Sequence, residues 1–387
     1  MTVSSELILG IDFGTSFSSV AVWLDGKMYV VPDQRGEPCI PSIVNYPRRG
    51  APLVGARAEQ VRAKDPTNTV CSVKRILGRA HDSPEVRIFD GHNAVRTKKA
   101  PGGGIYLLTD SGPLSPEQVV ADIFRHLKAL AERRFGRPAS KAVITVPASA
   151  TRAVEDATQH AAKCAGLDVV RVLSEPSAGA IANQLDRFEG ERRILVYDFG
   201  GGTFDVTILE QRDQELFTRA IAGDACLGGD DLDHELASIV SGHIWKKSRT
   251  DVTKDAVRWE RIIRTAETAK RGLSARDEVP FRVDDAYASR GRPTRLELNL
   301  TRNDVEPRWK PLVDRANRLA AKTIVHANLH PSDLDVILLV GGTTYVPLVR
   351  RTVHSVLKRP GMHEGDPLTA VARGAALVAA RALDLAA

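Results

Sequence analysis

The sequence is poor in cysteine, and its four cysteines are widely separated along the chain. They contain no C-x-x-C pair, which argues against a zinc site and against a framework of disulfides. Scattered thiols of this kind fit a reducing compartment, and we therefore expect a cytoplasmic protein. The cysteines are Cys39, Cys71, Cys164 and Cys226.

Long apolar runs and concentrated charge are also missing. No stretch approaches the roughly 18 apolar residues that a membrane-spanning helix requires, and an acidic residue, Glu6, precedes the first apolar run where a signal peptide would be basic. The net charge of +6 over 387 residues has no clear focus, so neither membrane nor nucleic-acid binding is expected. His326 and His330 have the spacing of a zinc protease, but Ala327 replaces the glutamate, which favours a surface pair on a helix.

A glycine-rich stretch in the middle of the chain gives the first positive signal. Residues 194–197 are a short apolar run typical of a buried strand, and residues 206–209 form a second run after Asp198, three glycines, Thr203 and Asp205. Three glycines allow a tight hairpin that exposes backbone N–H groups to an anion. A carboxylate at its mouth suits a hydrated divalent cation. Taken alone, the stretch fits an ordinary glycine-rich hairpin equally well.

The same pattern occurs near the N-terminus. Residues 8–16 repeat the order strand, aspartate, phenylalanine, glycine and hydroxyl, with Asp12 in the place of Asp198, almost half the chain away. A repeat at that distance indicates an internal duplication. Two such hairpins facing each other would clamp a triphosphate from both sides, with two carboxylates at one metal ion. The sequence therefore predicts a phosphate clamp built from two related halves.

Strands and helices alternate through both halves, which predicts α/β layers with helices on both faces of the sheets. We predict two α/β lobes, residues 1–190 and 191–387, with the closing helix 366–383 packing back on the first lobe. Residues 81–113 are predicted to be extended segments and turns. The other predicted helices begin near Leu232 or span about 56–63, 115–135, 151–165, 177–187, 255–272 and 347–358, and strands are predicted at 142–146, 169–173 and 336–340.

Other residues are candidates for a site on weaker grounds. Lys74 is either a surface lysine or a cation held toward a phosphate. Gly228 and Gly229 precede a predicted helix, where backbone N–H groups can receive an anion, and Gly341 and Gly342 follow the last predicted strand. One more group shares a face of the helix 255–272, which is usually the solvated face, and consists of Glu267, Lys270, Arg271 and Ser274.

The motifs, in the order in which they occur along the chain, resemble those of the nucleotide-binding domain of the DnaK-type (seventy-kilodalton heat-shock) chaperones. These chaperones are a branch of the actin-like ATPase superfamily. The resemblance covers nearly the whole chain. The two hairpins indicate the superfamily, and Lys74, Glu175 and the four residues on the predicted helix narrow it to the heat-shock branch. The matching segments are residues 10–16, 73–75, 143–148, 175–178, 198–205, 227–231 and 340–344.

The resemblance implies an actin-like (ribonuclease H-like) fold, with two subdomains in each lobe, and Mg²⁺-dependent binding and slow hydrolysis of ATP to ADP. Asp12 and Asp198 would hold Mg²⁺ largely through its waters. Lys74 would offset charge on the γ-phosphate, and Asp205 and Glu175 would orient the attacking water or accept its proton. The phosphates would contact Gly14, Thr15, Ser16, Gly200, Gly201, Gly202, Thr203, Gly228 and Gly229.

The adenosine would lie between two walls. One wall is the face formed by Glu267, Lys270, Arg271 and Ser274, and the other is formed by Gly341, Gly342, Thr343 and Tyr345. Tyr345 replaces an arginine that normally packs on the adenine, so the ring can still stack while the cation–π component is lost. Glu155 likewise replaces an arginine used to communicate with the peptide-binding domain, and Leu368 replaces an acidic residue.

The resemblance also bears on partners and on alternative functions. We expect a monomer with protein partners, namely a cochaperone, an exchange factor or a client, and no peptide-binding domain within this chain. A nucleotide-holding scaffold without turnover is the main alternative, although intact Lys74, Thr203 and Asp205 argue against it. A small-molecule kinase would need a substrate-binding insertion that the sequence lacks, and the adenosine-contacting residues disfavour a filament-forming actin relative.

Overall fold

Alternating strands and helices build a mixed α/β structure. The computed structural model describes residues 6–185, 190–213, 215–289, 291–358, 361 and 366–384. Its strands are β1 (Leu7–Asp12), β2 (Phe17–Leu24), β3 (Lys27–Val30), β4 (Ile40–Pro41), β5 (Val44–Asn45), β6 (Leu53–Val54), β7 (Thr69–Val70), β8 (Arg96–Lys99), β9 (Ile105–Thr109), β10 (Gly112–Leu114), β11 (Ala139–Val146), β12 (Asp168–Ser174), β13 (Arg192–Phe199), β14 (Phe204–Arg212), β15 (Glu215–Asp224), β16 (Glu278–Ser289), β17 (Arg292–Thr301) and β18 (Val336–Val340).

The helices are α1 (Ala56–Arg62), α2 (Pro84–His92), α3 (Pro116–Phe135), α4 (Arg152–Cys164), α5 (Glu175–Ala182), α6 (Gly229–Ser248), α7 (Ala256–Ala275), α8 (Arg302–His326), α9 (Pro347–Leu357) and α10 (Ala370–Asp384). No helix among the described residues is both long enough and apolar enough to cross a lipid bilayer.

Two central sheets repeat the same local topology. In the first sheet, β1 lies antiparallel to β2 and parallel to β11. In the second sheet, β13 lies antiparallel to β14 and parallel to β18. The full orders are β12-β11-β1-β2-β3, with β4 also paired to β2, and β15-β14-β13-β18. The internal duplication read from the two aspartate–glycine motifs is therefore visible in the strand pairing.

The apolar run that precedes Asp198 forms the centre of the second sheet. Residues 194–197 of β13 are at most 1% exposed, because apolar side chains cover both faces of the sheet. Ile194 and Val196 pack on one side with α5 and α10, whereas Leu195 and Tyr197 pack on the other with α6, α7 and α8. A strand buried on both faces has no polar positions to alternate, which explains the continuous apolar run.

Capping residues fix helix α3 as its sequence predicts. The Ser115 hydroxyl accepts a hydrogen bond from the backbone N–H of Gln118, and the Gln118 side chain accepts one from the backbone N–H of Ser115 at 2.8 Å. The helix ends at Gly136, whose φ of 64° lies in the left-handed region.

Three sequence-based assignments are wrong. Residues 81–113 were expected to lack a helix, yet α2 lies there because Val86 and Phe89 become buried after a Ser-Pro helix start. The helix predicted at 177–187 begins earlier, at Glu175, since the Ser174 hydroxyl caps it by accepting from the backbone N–H of Ser177. His330 does not share a helix with His326, because α8 ends at His326.

The closing helix also starts later than predicted. Asp366 does not cap it; its carboxylate instead accepts from the backbone N–H of Leu368 at 3.0 Å and from the hydroxyl of Thr369 at 3.1 Å, in a turn that precedes Ala370. Of the segment predicted to join the two lobes, residues 187–189 lie outside the described residues, so the division at residue 190 stays a prediction.

Helix α10 packs against α5 and against β1 and β2 of the first sheet through very small residues. A Cβ atom on Gly374 would lie 1.9 Å from the carbonyl oxygen of Ala178, and one on Gly10 would lie 2.2 Å from the backbone nitrogen of Ala376. Both contacts are with backbone, which cannot move aside as a flexible side chain can. Glycine therefore sets the distance between α10 and the elements below it.

We predict that Gly374→Ala lowers the free energy of unfolding by about 1–3 kcal/mol, because the added methyl overpacks this contact. Gly242→Ala is the matched control, since Gly242 lies inside α6 and, apart from the adjacent residues and backbone of that helix, no atom of the described residues lies within 4 Å of the position that its added methyl group would occupy. It should raise stability by about 0.5–1 kcal/mol. Urea denaturation measures both values. Equal stability of Gly374→Ala and the parent protein would contradict the packing described here.

Candidate functional site

The tips of the two glycine-rich hairpins touch each other. A Cβ atom on Gly201 would lie 2.0 Å from the hydroxyl oxygen of Ser16, and one on Gly202 would lie 2.2 Å from Cγ2 of Thr15. Glycine is required at both positions because any side chain would separate the hairpins. The β1–β2 turn and the β13–β14 turn therefore form one continuous surface.

A cavity of about 800 Å³ opens beside this contact, within the size range of small-molecule sites. Residues of both hairpins line it, together with residues of α7 and α9. Most of the residues predicted from the sequence share its wall, namely Asp12, Gly14, Thr15, Ser16, Lys74, Glu175, Asp198, Gly200, Gly201, Thr203, Glu267, Lys270, Arg271, Ser274, Gly341, Gly342, Thr343 and Tyr345.

Four predicted residues lie behind the wall, and they are Gly202, Asp205, Gly228 and Gly229. The two glycines at the start of α6 support the central hairpin. The backbone N–H of Gly229 donates to the carbonyl of Gly200 at 3.1 Å, and that of Gly228 donates to the carboxylate of Asp231 at 2.7 Å. These amides are thus committed within the protein, which differs from the expectation that they face an anion.

Buried carboxylates gather at the hairpin end of the cavity, and Lys74 is the cation that faces them. Its ammonium lies 2.5 Å from the carboxylate of Glu175. Burial, then the charge of Glu175, raises the pKa of Asp12 to about 7 and that of Asp205 to about 6. Burial and the same neighbour also raise the pKa of Asp198. Four acidic side chains therefore crowd around one ammonium, and burial and mutual repulsion disfavour the simultaneous ionisation of all four.

This donor set fits a hydrated divalent cation. No group of three or more histidine, cysteine or acidic side chains is arranged to bind a bare metal ion in the described part of the chain. Mg²⁺ retains several of its waters and is commonly held by one or two carboxylates together with substrate phosphates. Asp12 and Asp198, which are buried with raised pKa values, provide two such carboxylates.

The other end of the cavity is lined by one face of α7. The Lys270 ammonium donates to the carboxylate of Asp233 at 2.6 Å and to the carbonyl of Gly229 at 2.9 Å, so α6 holds this side chain in place. The Arg271 guanidinium lies 4.7 Å from the ring centroid of Phe17 and 3.1 Å from the carboxylate of Glu267. The polar face of α7, which the sequence alone could not distinguish from an ordinary solvated face, is therefore part of the cavity wall.

Tyr345 also lines the cavity and is accompanied by a cation. The guanidinium of Arg350 lies 5.3 Å from the Tyr345 ring centroid, and its Nε donates to the carbonyl of Thr344 at 3.1 Å. Sequence reasoning missed Arg350, although it lies one turn into the helix that follows the glycine motif. It also missed Arg35 and Cys39, which reach the cavity from a loop that carries no motif.

Several contacts join the two halves beside the cavity. The Asp230 carboxylate accepts hydrogen bonds from the hydroxyls of Ser16 and Ser72, both at 2.8 Å. The Arg75 guanidinium donates to Asp231 at 2.9 Å. The start of α6 is thus connected both to the first hairpin and to the segment that carries Lys74.

The family model described as Hsp70 protein matches residues 8–382. The chain belongs to the Hsp70 family. Members of this family bind and hydrolyse ATP and act as chaperones with cochaperones and client proteins. Both the resemblance stated from the motifs and the actin-like ATPase fold class are therefore confirmed. Because Hsp70 proteins are ATPases, membership favours hydrolysis over the phosphorylation of a small molecule.

Two stacked histidines bridge the halves of this Hsp70 chain near the cavity. The rings of His92 on α2 and His234 on α6 are 4.0 Å apart between centroids and inclined by 18°. Burial, then the neighbouring His92, lowers the pKa of His234 to about 3, and burial also lowers the pKa of His92. The folded protein therefore favours the neutral form of both rings.

A lowered pKa in the folded state predicts that stability is present above the unfolded value near 6.5 and is lost as the pH falls toward 3. Below about pH 6, the unfolding free energy of the parent protein should therefore fall more steeply with decreasing pH than that of His234→Asn. The difference between the two slopes should be about 1.4 kcal/mol per pH unit. Urea denaturation between pH 7.5 and 4.5 measures this slope, with His354→Asn at an exposed position as the control. Parallel pH curves for His234→Asn and the parent protein would contradict the prediction.

Proposed function

We propose that this protein is a slow Mg²⁺-dependent ATPase, whose two lobes close around the nucleotide and reopen after hydrolysis. The observation that carries the proposal is the meeting of Asp12, Asp198, Glu175 and Lys74 at the wall of one cavity, beside two hairpins in contact. The lobes are residues 1–190 and 191–387, and α10 packs against the first sheet. Family membership supports the hydrolysis of ATP to ADP.

In this proposal, the hairpin end of the cavity receives the phosphates. Bound Mg²⁺ would neutralise phosphate charge and the excess of carboxylates. Asp12 and Asp198 would hold it, largely through its waters. The backbone amides and hydroxyls that would contact the phosphates belong to Gly14, Thr15, Ser16, Gly201 and Thr203. Gly200, whose N–H donates to the carbonyl of Thr203 at 3.0 Å, would close the hairpin turn instead, with Gly202, Gly228 and Gly229 behind it.

Lys74 and the remaining carboxylates would carry out the reaction. The Lys74 ammonium, held by Glu175, would stabilise negative charge on the γ-phosphate as it is transferred and would position the attacking water. The water oxygen bonds to the γ-phosphorus, the bond from that phosphorus to the oxygen of ADP breaks, and a carboxylate accepts the proton from the water. Asp205 does not itself line the cavity, but it interacts electrostatically with Glu175 and Lys74 of the cavity wall. A pKa of about 6 leaves it largely ionised at neutral pH, which suits this last role.

The far end of the cavity would bind the adenosine. Arg271 and Tyr345 both line the cavity, and the adenosine would lie between them. Glu267, Lys270 and Ser274 would contact it from α7, and Gly341, Gly342 and Thr343 from the segment that carries Tyr345. Arg350 would supply a cation beside the Tyr345 ring, which compensates in part for the arginine that Tyr345 replaces.

The output of the switch would be the binding of a protein partner. The contacts of Asp230 with Ser16 and Ser72 join the halves beside the phosphate end of the cavity, so a change in nucleotide there would alter how the halves fit together. A cochaperone, an exchange factor or a client would bind one arrangement of the halves more tightly than the other. We propose a cytoplasmic monomer for this role.

Lys74→Ala should abolish hydrolysis while leaving ATP binding largely intact, because the ammonium acts mainly on charge that develops during transfer. We expect the single-turnover rate constant to fall at least about a hundredfold, and the equilibrium dissociation constant for ATP in Mg²⁺ to change by less than a few-fold. Lys246→Ala, at an exposed position on α6, removes the same charge away from the cavity and should change neither value.

The two measurements separate this proposal from its alternative. Loss of ATP binding in Lys74→Ala would show that the lysine is structural. Tight binding of ATP without turnover in the parent protein would favour a scaffold that holds nucleotide for structure.

A further inference from the structure

A serine that follows the first sheet contacts a carboxylate of the second sheet. Ser149 lies in the loop between β11 and α4, where a backbone hydrogen bond of 3.0 Å from Ala150 to Pro147 closes a turn around it. Its hydroxyl donates to Oδ1 of Asp205 at 2.8 Å. This hydrogen bond therefore crosses from one half of the molecule to the other, close to Glu175 and Lys74 of the cavity wall.

The neighbouring strand leaves room for this contact. Gly223 of β15 is the register partner of Asp205 on β14. A Cβ atom on Gly223 would lie 2.5 Å from Oδ1 of Asp205 and 3.1 Å from the Ser149 hydroxyl. Any other residue there would displace the carboxylate or the serine, so the backbone around Asp205 accommodates the pair.

Asp205 needs a hydrogen-bond donor because burial and nearby acidic groups destabilise its ionised carboxylate. It is 5% exposed, and its nearest charged neighbours include Glu175 and Asp224. Lys74 attracts it, but that ammonium is hydrogen-bonded to Glu175. Among the described side-chain hydrogen bonds, the one to Asp205 comes from Ser149, which binds one carboxylate oxygen and leaves Oδ2 for another partner.

We propose that Ser149 is a positioning residue for ATP hydrolysis: it holds Asp205 so that Oδ2 accepts the proton of the attacking water. In the same step the water oxygen bonds to the γ-phosphorus, and the bond from phosphorus to the leaving oxygen of ADP breaks. The inference rests on the proposed function. Since the serine and the aspartate belong to different halves, the carboxylate is held only while the halves keep the arrangement seen here, which couples hydrolysis to closure.

Ser149→Ala, Ser149→Thr and the parent protein provide the test. Single-turnover hydrolysis of ATP and equilibrium binding of ATP are measured for each in Mg²⁺. Ser149→Ala should lower the rate constant about tenfold, as expected for the loss of one hydrogen bond to a charged group, with the dissociation constant unchanged within about twofold. Ser149→Thr retains the hydroxyl and should restore most of the rate.

Thr151→Ala is the matched control. This residue lies two positions further along the same loop, is exposed and makes no side-chain cap to α4, so both values should stay at the parent level. Equal rates in Ser149→Ala and the parent protein would overturn the inference alone. A joint loss of rate and binding that Ser149→Thr does not restore would also overturn it, since the serine would then be structural. Absence of turnover in the parent protein would overturn the proposed function itself.

Discussion

The site depends on the close approach of two glycine-rich hairpins, which brings carboxylates from both halves into one buried region. Gly201 and Gly202 allow contact with Ser16 and Thr15 only because they lack side chains. The contact has an electrostatic consequence: burial and mutual repulsion raise the pKa values of the acidic groups. Lys74 offsets part of that charge. A ligand that carries a divalent cation would offset more of it, which supports the proposal that the cleft binds a metal-bound nucleotide.

The rest of the fold keeps the hairpins in place. The repeated topology puts Asp12 and Asp198 at equivalent strand ends, on sheets that face each other across the cavity. Helix α10 makes close backbone contacts with the first sheet at Gly10 and with α5 at Gly374. The start of α6 fixes the second hairpin, since its amides donate to the carbonyls of the hairpin glycines. Contacts of Asp230 and Asp231 then join α6 to the first half. Small residues and buried hydrogen bonds thus determine the geometry of the cleft together.

The sequence was informative where function requires a local pattern. The aspartate–glycine hairpins, the capped helix α3 and the residues of α7 all follow short spacing rules, and the structure brings the hairpins and the α7 residues to one cavity. The sequence was uninformative where tertiary packing determines the local structure. Helix α2 is short, and burial of Val86 and Phe89 stabilises it. The β16–β17 hairpin was not predicted, because its register is set by pairing along two long strands. Ser149 and Arg350 gain their importance from distant partners, which no local pattern indicates.

We propose that the cleft binds a nucleotide only with a divalent cation, which offsets the charge of the buried carboxylates. Isothermal titration of the protein with ATP, in Mg²⁺ and then in excess EDTA, tests it most directly because it depends on neither turnover nor a partner. We predict saturable binding of one ATP per chain in Mg²⁺, weakened at least about tenfold when the metal is removed. Equal affinity in Mg²⁺ and in EDTA, or no binding in either, would contradict it.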